Sequence, residues 1–206
     1  MKFNFWRNSK KTNYPEEITN YFAVNKPGVE ADTSYVVFDT ESSSLTISSA
    51  QLLSIGAVKV KDNSIALRET FECFIHTGKS GVKGNVHIHE IMATGKEEKK
   101  EVKEALLEFL DFIGNAVLVA HHAKHDVGLI NRYLSENFPG VRLVNQVIDT
   151  ANLAIENDRK KDTSIKIEPE NYSLDALLKR YSIEALERHT ALGDAFSTAL
   201  LFLKMK

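Results

Sequence analysis

The sequence predicts an α/β domain: a mixed sheet with helices packed on its faces. Two observations carry this. Three strand-like runs follow one another between residues 34 and 76, an opening antiparallel meander. From residue 102 onward, helix-period segments alternate with short apolar runs, which places helices against the sheet.

Each element can be justified in order. Residues 1–33 read as an N-terminal extension, with Trp6, Arg7, Lys10 and Lys11 at a basic start and a short helix beginning near Pro15. The main domain is expected over 34–206. SYVVFD (34–39), QLLSIGAVKV (51–60) and IALRETFECFIH (65–76) are strands, the last two joined by a turn at KDNS (61–64). A Gly- and Lys-containing loop, TGKSGVKGN, follows. Val102, Ala105, Leu106, Phe109, Leu110 and Ile113 recur at helical spacing and stop at Gly114. AVLVAH (116–121) is a short buried strand, and Val127, Ile130, Leu134 and Phe138 mark a helix stopped by Pro139-Gly140. VNQVID (144–149) is the last strand, leading into a short helical piece. The charged stretch 157–171 reads as a solvated loop, Ser173 caps a helix with Leu174, Leu177, Leu178 and Tyr181 on one face, and a final helix carries Leu192, Phe196, Ala199, Leu200 and Leu203.

Composition bounds the chemistry. The 206 residues are 43% hydrophobic and 26% charged, as in ordinary globular proteins. No segment approaches the roughly 20 apolar residues of a membrane span, and the start lacks the features of a secretory signal. A cytoplasmic protein without membrane association is therefore expected. Cys73 is the single cysteine, which excludes an internal disulfide and a Cys-based zinc site. A net charge of −2 gives no basic footprint for nucleic acid, but metals can supply positive charge to an enzyme that grips a chain end.

The residues that do not fit the core pattern are acids. VVFDTESSS ends an apolar strand in Asp39 and Glu41, which share a face and repel each other. Asp126 and Asp194 sit in first helical turns, where a helix dipole alone explains a single acid. No dipole explains the Asp39/Glu41 pair. Hard cations take several carboxylates, and two of them roughly 4 Å apart stabilise both oxygens of a phosphodiester displacement. His189, five residues before Asp194, has the chemistry of a general base near neutrality.

FDTES, AHHAKHD and RHTALGDA resemble, in order and spacing, the three motifs of the DEDDh family of 3′–5′ exonucleases. This family includes the epsilon proofreading subunit of bacterial DNA polymerase III and ribonuclease T. QLLSIGAVKV, IHEI (88–91), VIDTANLA (147–154) and YSLDALLKRY (172–181) look like its connecting segments, so the resemblance covers roughly residues 34–203. It implies a ribonuclease H-like fold with a five-stranded mixed sheet and two Mg2+ or Mn2+ ions per site. Position by position, it implies that Asp39 bridges both metals and that Glu41 and Asp194 hold the first. Asp126 supports the second, and His189 on a mobile loop is the general base. Thr40, Leu45, His89 and His122 are implied as substrate contacts.

The chain also departs from the family pattern. Ser42-Ser43-Ser44-Leu45 stands for Thr-Thr-Gly-Leu, which removes a glycine beside the terminal nucleotide. His122 and His125 stand for the usual Asn and Phe, and Glu90 and Met92 for Gly and Thr. His121 and His125 are four apart, a spacing seen in zinc sites, but no third ligand accompanies them. Lys79 and Lys83 read as solvated charges. The expected activity is release of nucleoside 5′-monophosphates from single-stranded 3′ ends, DNA favoured over RNA. RNA 3′-end trimming is the alternative, and a non-catalytic binding module a third reading. A protein partner, if any, is expected at residues 1–33.

Overall fold

The computed structural model describes residues 13–29, 34–77 and 98–206. The basic start, the loop lysines Lys79 and Lys83, and His89 with its IHEI segment lie outside the described residues.

β1 (Tyr35–Ser42) pairs antiparallel with β2 (Leu52–Lys61), and β2 with β3 (Ser64–Ile75). The β2–β3 hairpin turns through Asp62 and Asn63, both at positive φ (48° and 59°), so Lys61 faces Ser64 across a two-residue loop. β5 (Val117–Ala120) lies parallel to β1, and β6 (Val147–Asp149) parallel to β5. The expected five strands all form. A sixth, the two-residue β4 (Lys99–Lys100), adds an edge beside β3 and is too short to leave a sequence pattern. The sheet order is β4-β3-β2-β1-β5-β6.

Six helices cover this sheet among the described residues: α1 (Glu16–Val24), α2 (Val102–Ile113), α3 (Lys124–Asn137), α4 (Thr150–Lys161), α5 (Leu174–Arg180) and α6 (Ala191–Met205). Alternation along β1 divides them. Val36 and Phe38 join the core under α1, α2 and α3, with Ile18, Leu106, Phe109 and Leu129. Val37 faces the other way, into a cluster with Val58, Val119 and the α6 residues Ala199 and Phe202. Asp39 and Glu41 continue the Val37 row, so the same period carries both acids to the α6 side.

The stretch 157–171 is not all loop. α4 runs to Lys161, and Pro169–Tyr172 forms a 3-10 turn. Helix period does not reveal this extension because its apolar face is thin. Its supports are instead at the ends: Asp149 accepts from the Ala151 and Asn152 backbone amides, and Arg159, Lys160 and Lys161 complement the C-terminal dipole. Ser173 caps α5 as expected, accepting from Ala176 N. No helix of the described residues is long and apolar enough to cross a membrane.

Candidate active site

The site forms where β1 ends beside the start of α6. A register shift between Glu41 and Ser42 breaks the β1–β2 ladder there, a position at which bulges re-aim side chains. Asp39, Glu41 and Asp194 each offer a carboxylate oxygen within 4.8 Å of the other two. No other element in the fold brings three acids together in this way among the described residues.

Two glycines bring Asp194 to the strand. Gly56 pairs with Asp39 across β1–β2, and a Cβ on it would stand 2.2 Å from backbone atoms of Ala191 and Leu192. Only a bare backbone lets α6 begin against the sheet at that point. Gly193 does the same for the preceding loop, since its Cβ would stand 2.2 Å from the Glu187 carbonyl. Thr190 closes the turn by accepting from Gly193 N (3.1 Å) and donating to Glu187 O (2.8 Å).

Asp126 reaches the site from the first turn of α3. Its Oδ1 accepts from both the backbone N (3.0 Å) and Oγ1 (2.6 Å) of Thr40, the residue between Asp39 and Glu41. Asp126 stands outside the close trio, yet its charge is felt by both β1 acids.

The electrostatics are those of negative charge that Arg188 offsets only in part. Burial, then Asp126, Asp194 and Glu41, raise the Asp39 carboxyl well above the usual range, with Arg188 a weaker opposing influence. Burial and the charges of Asp194 and Asp126 raise Glu41 to about 7. Burial raises Asp126 to about 7 against the hydrogen bonds from Thr40. Three hard oxygen donors in low-dielectric surroundings, with excess negative charge, suit a divalent hard cation. The site therefore fits the metal that the motifs imply.

Among the described residues, Arg188 is a cation that reaches these acids. Its Nη1 donates to Asp194 Oδ1, and its Nε to Asp175 Oδ1 on α5 at 2.7 Å. His189, the next residue, is exposed on the loop before α6 with φ 65°, a left-handed backbone uncommon for histidine. It lies outside the acid trio, close enough to Asp175 for its charge to matter there.

Of the other expected residues, Leu45, His122 and Thr40 lie among those described. Leu45 projects from the β1–β2 connection, 88% exposed. His122 is exposed at φ 54°, its backbone amide donating to Asp149. Thr40 faces Asp126 rather than solvent. His121 is buried against Thr150 Oγ1 (Nδ1, 2.8 Å), and burial with the neighbouring His122 lowers its pKa to about 4. His125 meets Ser42 Oγ at 3.2 Å. Neither joins a metal-holding group, so the HHAKH spacing does not build a zinc site among the described residues.

Sequence reading missed Arg188, Asp175, Gly56 and Gly193. The glycine in the middle of an apolar strand is a readable sign of close backbone approach. Arg188 and Asp175 carry no such sign, because their meeting depends on how the loop between α5 and α6 folds.

A family model described as an exonuclease matches residues 36–202. The DNA polymerase III PolC-type protein of Staphylococcus haemolyticus is 32% identical over 174 residues, 84% of this chain and 11% of that protein. Its counterpart in Caldanaerobacter subterraneus is 34% identical over 174 residues, 83% of this chain and 11% of the relative. The chain thus spans about a tenth of the length of these relatives. Among solved structures, E. coli exonuclease I in complex with a dT13 oligonucleotide superposes with a TM-score of 0.66 at 13% identity, over 84% of this chain and 40% of that one. Cell-death related nuclease 4 superposes with a TM-score of 0.66 at 10% identity, over 84% and 63%. These likenesses identify the mixed sheet and its helices as a ribonuclease H-like fold.

Proposed function

The chain belongs to the exonuclease family, and from that membership and the geometry of its acids we propose that it is a metal-dependent 3′–5′ exonuclease acting on single-stranded DNA ends. The observation that carries this reading is the trio Asp39, Glu41 and Asp194, whose oxygens lie within 4.8 Å of one another. Asp39, Glu41 and Asp194 would hold one Mg2+ or Mn2+, and Asp39 with Asp126 a second. Bound there, the ions supply the positive charge that favours an attacking hydroxide and a leaving alkoxide.

The chain's own residues do the rest. Thr40 fixes Asp126 through two hydrogen bonds, so that carboxylate needs no reorganisation when ligand arrives. His189 takes a proton from the attacking water as the bond from phosphorus to the 3′ oxygen breaks, releasing a nucleoside 5′-monophosphate. Its exposed loop leaves room for the ring to approach and withdraw. Leu45, almost fully exposed beside the acids in sequence, offers an apolar face to a terminal base. His122 and His89 are the further nucleotide contacts in this reading. DNA is favoured because the relatives are DNA polymerases by name, and a structural neighbour holds an oligodeoxynucleotide. The distinguishing experiment is turnover of 5′-labelled single-stranded DNA and its matched RNA with Mn2+, with and without EDTA. Shortening from the 3′ end of DNA, abolished by EDTA and by Asp39→Ala, is expected; an active Asp39→Ala protein would sink the reading.

A further inference from the structure

Arg188 occupies a particular place: its guanidinium contacts one of the acids that would hold metal while a second acid holds it from behind. We propose that Arg188 is a positioning residue that holds Asp194 in the metal-free protein and competes with a divalent ion for that carboxylate, with Asp175 as the charged partner the guanidinium keeps when it leaves. This rests on the reading of the acid trio as a metal site.

The geometry is a fork. Nη1 donates to Asp194 Oδ1 and Nε donates to Asp175 Oδ1 at 2.7 Å. The Asp194 end is sheltered and the Asp175 end open: their side chains are 11% and 70% exposed. A guanidinium keeps its proton at any relevant pH, so it cannot be neutralised to make way for an ion; it has to move. Two cations on one carboxylate repel, and at an oxygen with little solvent that repulsion is not screened away.

Asp175 makes the movement possible. It is solvated, on α5 rather than α6, so the guanidinium can leave Asp194 and keep a charged partner. The main chain need not follow. Thr190 and Gly193 pin the loop to α6 on the C-terminal side of Arg188, through the Glu187 carbonyl on its N-terminal side. A side-chain swing is therefore separable from unfolding of the loop.

The two anchors make opposite predictions, which a merely structural role does not. Arg188→Gln removes the competing charge but keeps length and hydrogen-bonding capacity, so Mn2+ should bind several-fold tighter. Asp175→Asn weakens the rear anchor and leaves Arg188 to Asp194, so Mn2+ should bind several-fold more weakly. Arg188→Lys keeps the charge and should stay near wild type. The measurement is equilibrium binding of Mn2+ to the metal-stripped full chain by calorimetry or by the resonance of free Mn2+. Circular dichroism checks that each variant is folded, with Arg188→Lys carrying the comparison if Arg188→Gln is not. Wild type that binds Mn2+ together with an Arg188→Gln protein that binds no tighter overturns the competition and leaves the functional reading standing. If Arg188→Gln cannot be compared, an Arg188→Lys protein whose affinity departs from wild type as far as that of Asp175→Asn, in either direction, overturns it. Wild type that binds no Mn2+ overturns the metal site itself.

Discussion

Gly56 lies directly opposite Asp39 in the β1–β2 register, and the first residues of α6 pack onto it with no space for a side chain. The strand that bears one acid and the helix that bears another are thus held together through a missing Cβ. Gly56→Ala would drive a methyl into the backbone of Ala191 and Leu192, atoms that cannot rotate aside. The expected cost is at least the roughly 1–3 kcal/mol typical of overpacking. Because α6 carries Asp194, Mn2+ affinity should fall together with the melting temperature. A variant that melts lower yet binds Mn2+ as wild type does would show that the acids are positioned by something else.

Asp39 is surrounded by like charge, so the metal-holding role proposed for it and the stability of the fold oppose each other. Asp39→Asn keeps the shape and removes one negative charge from a buried group of acids. In EDTA at pH 8 the variant should melt several degrees above wild type, while hydrolysis of any oligonucleotide is lost. Strain of this kind at a functional site is the usual reason that stabilising substitutions cost activity. Thermal melts with chelator and a gel assay check both halves.

The same charges give the metal-free protein a pH dependence of definite sign. Glu41 and Asp126 are raised to about 7 in the fold, whereas unfolded carboxyls titrate near 4. Between those values the folded state binds more protons than the unfolded state, so stability falls as pH rises through 7. His121, lowered to about 4, works in the opposite direction, but only below its ordinary value of about 6.5. From pH 6.5 to 8 the raised acids set the sign of the dependence. The chelated protein should lose several degrees of melting temperature across that window, and saturating Mn2+ should abolish the loss. A flat profile in EDTA would contradict the crowding of these carboxyls.

The resemblance implies that Thr40 touches substrate, and in the fold its backbone N and Oγ1 donate to Asp126. Thr40→Val preserves volume and removes the Oγ1 donor at 2.6 Å, leaving only the backbone bond. Loss of a partner that orients a metal ligand typically costs 10–100-fold in metal affinity or activity, and roughly that is expected here. The binding step tells the two roles apart. A role on Asp126 weakens Mn2+ without DNA present; a role on substrate leaves Mn2+ binding intact and raises KM.

Much of this site is legible in the sequence because strand period is rigid. Val37, Asp39 and Glu41 share a face by period 2, and the cluster of Val37 with Ala199 and Phe202 shows which face that is. Asp126 and Asp194 are legible through the motifs AHHAKHD and RHTALGDA, since a first-turn acid is explained by the helix dipole alone. What period does not encode is the meeting of separate elements. The fork of Arg188 between Asp175 and Asp194 depends on a loop with no repeating pattern, and the helix through 157–161 depends on end contacts rather than an apolar stripe. The zinc-like spacing of His121 and His125 shows the converse. The backbone turns between them at His122, φ 54°, and sends one ring to Thr150 and the other to Ser42.

α1 decides where the folding unit begins. Ile18 is fully buried and Tyr21 nearly so, both in the core that holds Phe38 and Leu106. Tyr21 donates its hydroxyl proton to Asn145 Oδ1 and accepts from Val144 N at 2.8 Å, while Asn25 donates to the Gly114 carbonyl. These bonds tie the helix to the end of α2 and to the approach to β6, far in sequence but adjacent in space. Ile18→Ala should cost about 2–5 kcal/mol, as for other buried aliphatic truncations. For a chain of this length that lowers the melting temperature by roughly 2–4 °C per kcal/mol. Tyr21→Phe should cost less, about 1 kcal/mol, because one hydroxyl is lost and the ring stays packed. A chain starting at residue 25 should be less stable than the Ile18→Ala protein, since it loses the Tyr21 ring as well. If that shortened chain melted with wild type, α1 would be an appendage, and residues 1–33 would be free to serve a partner instead of the core.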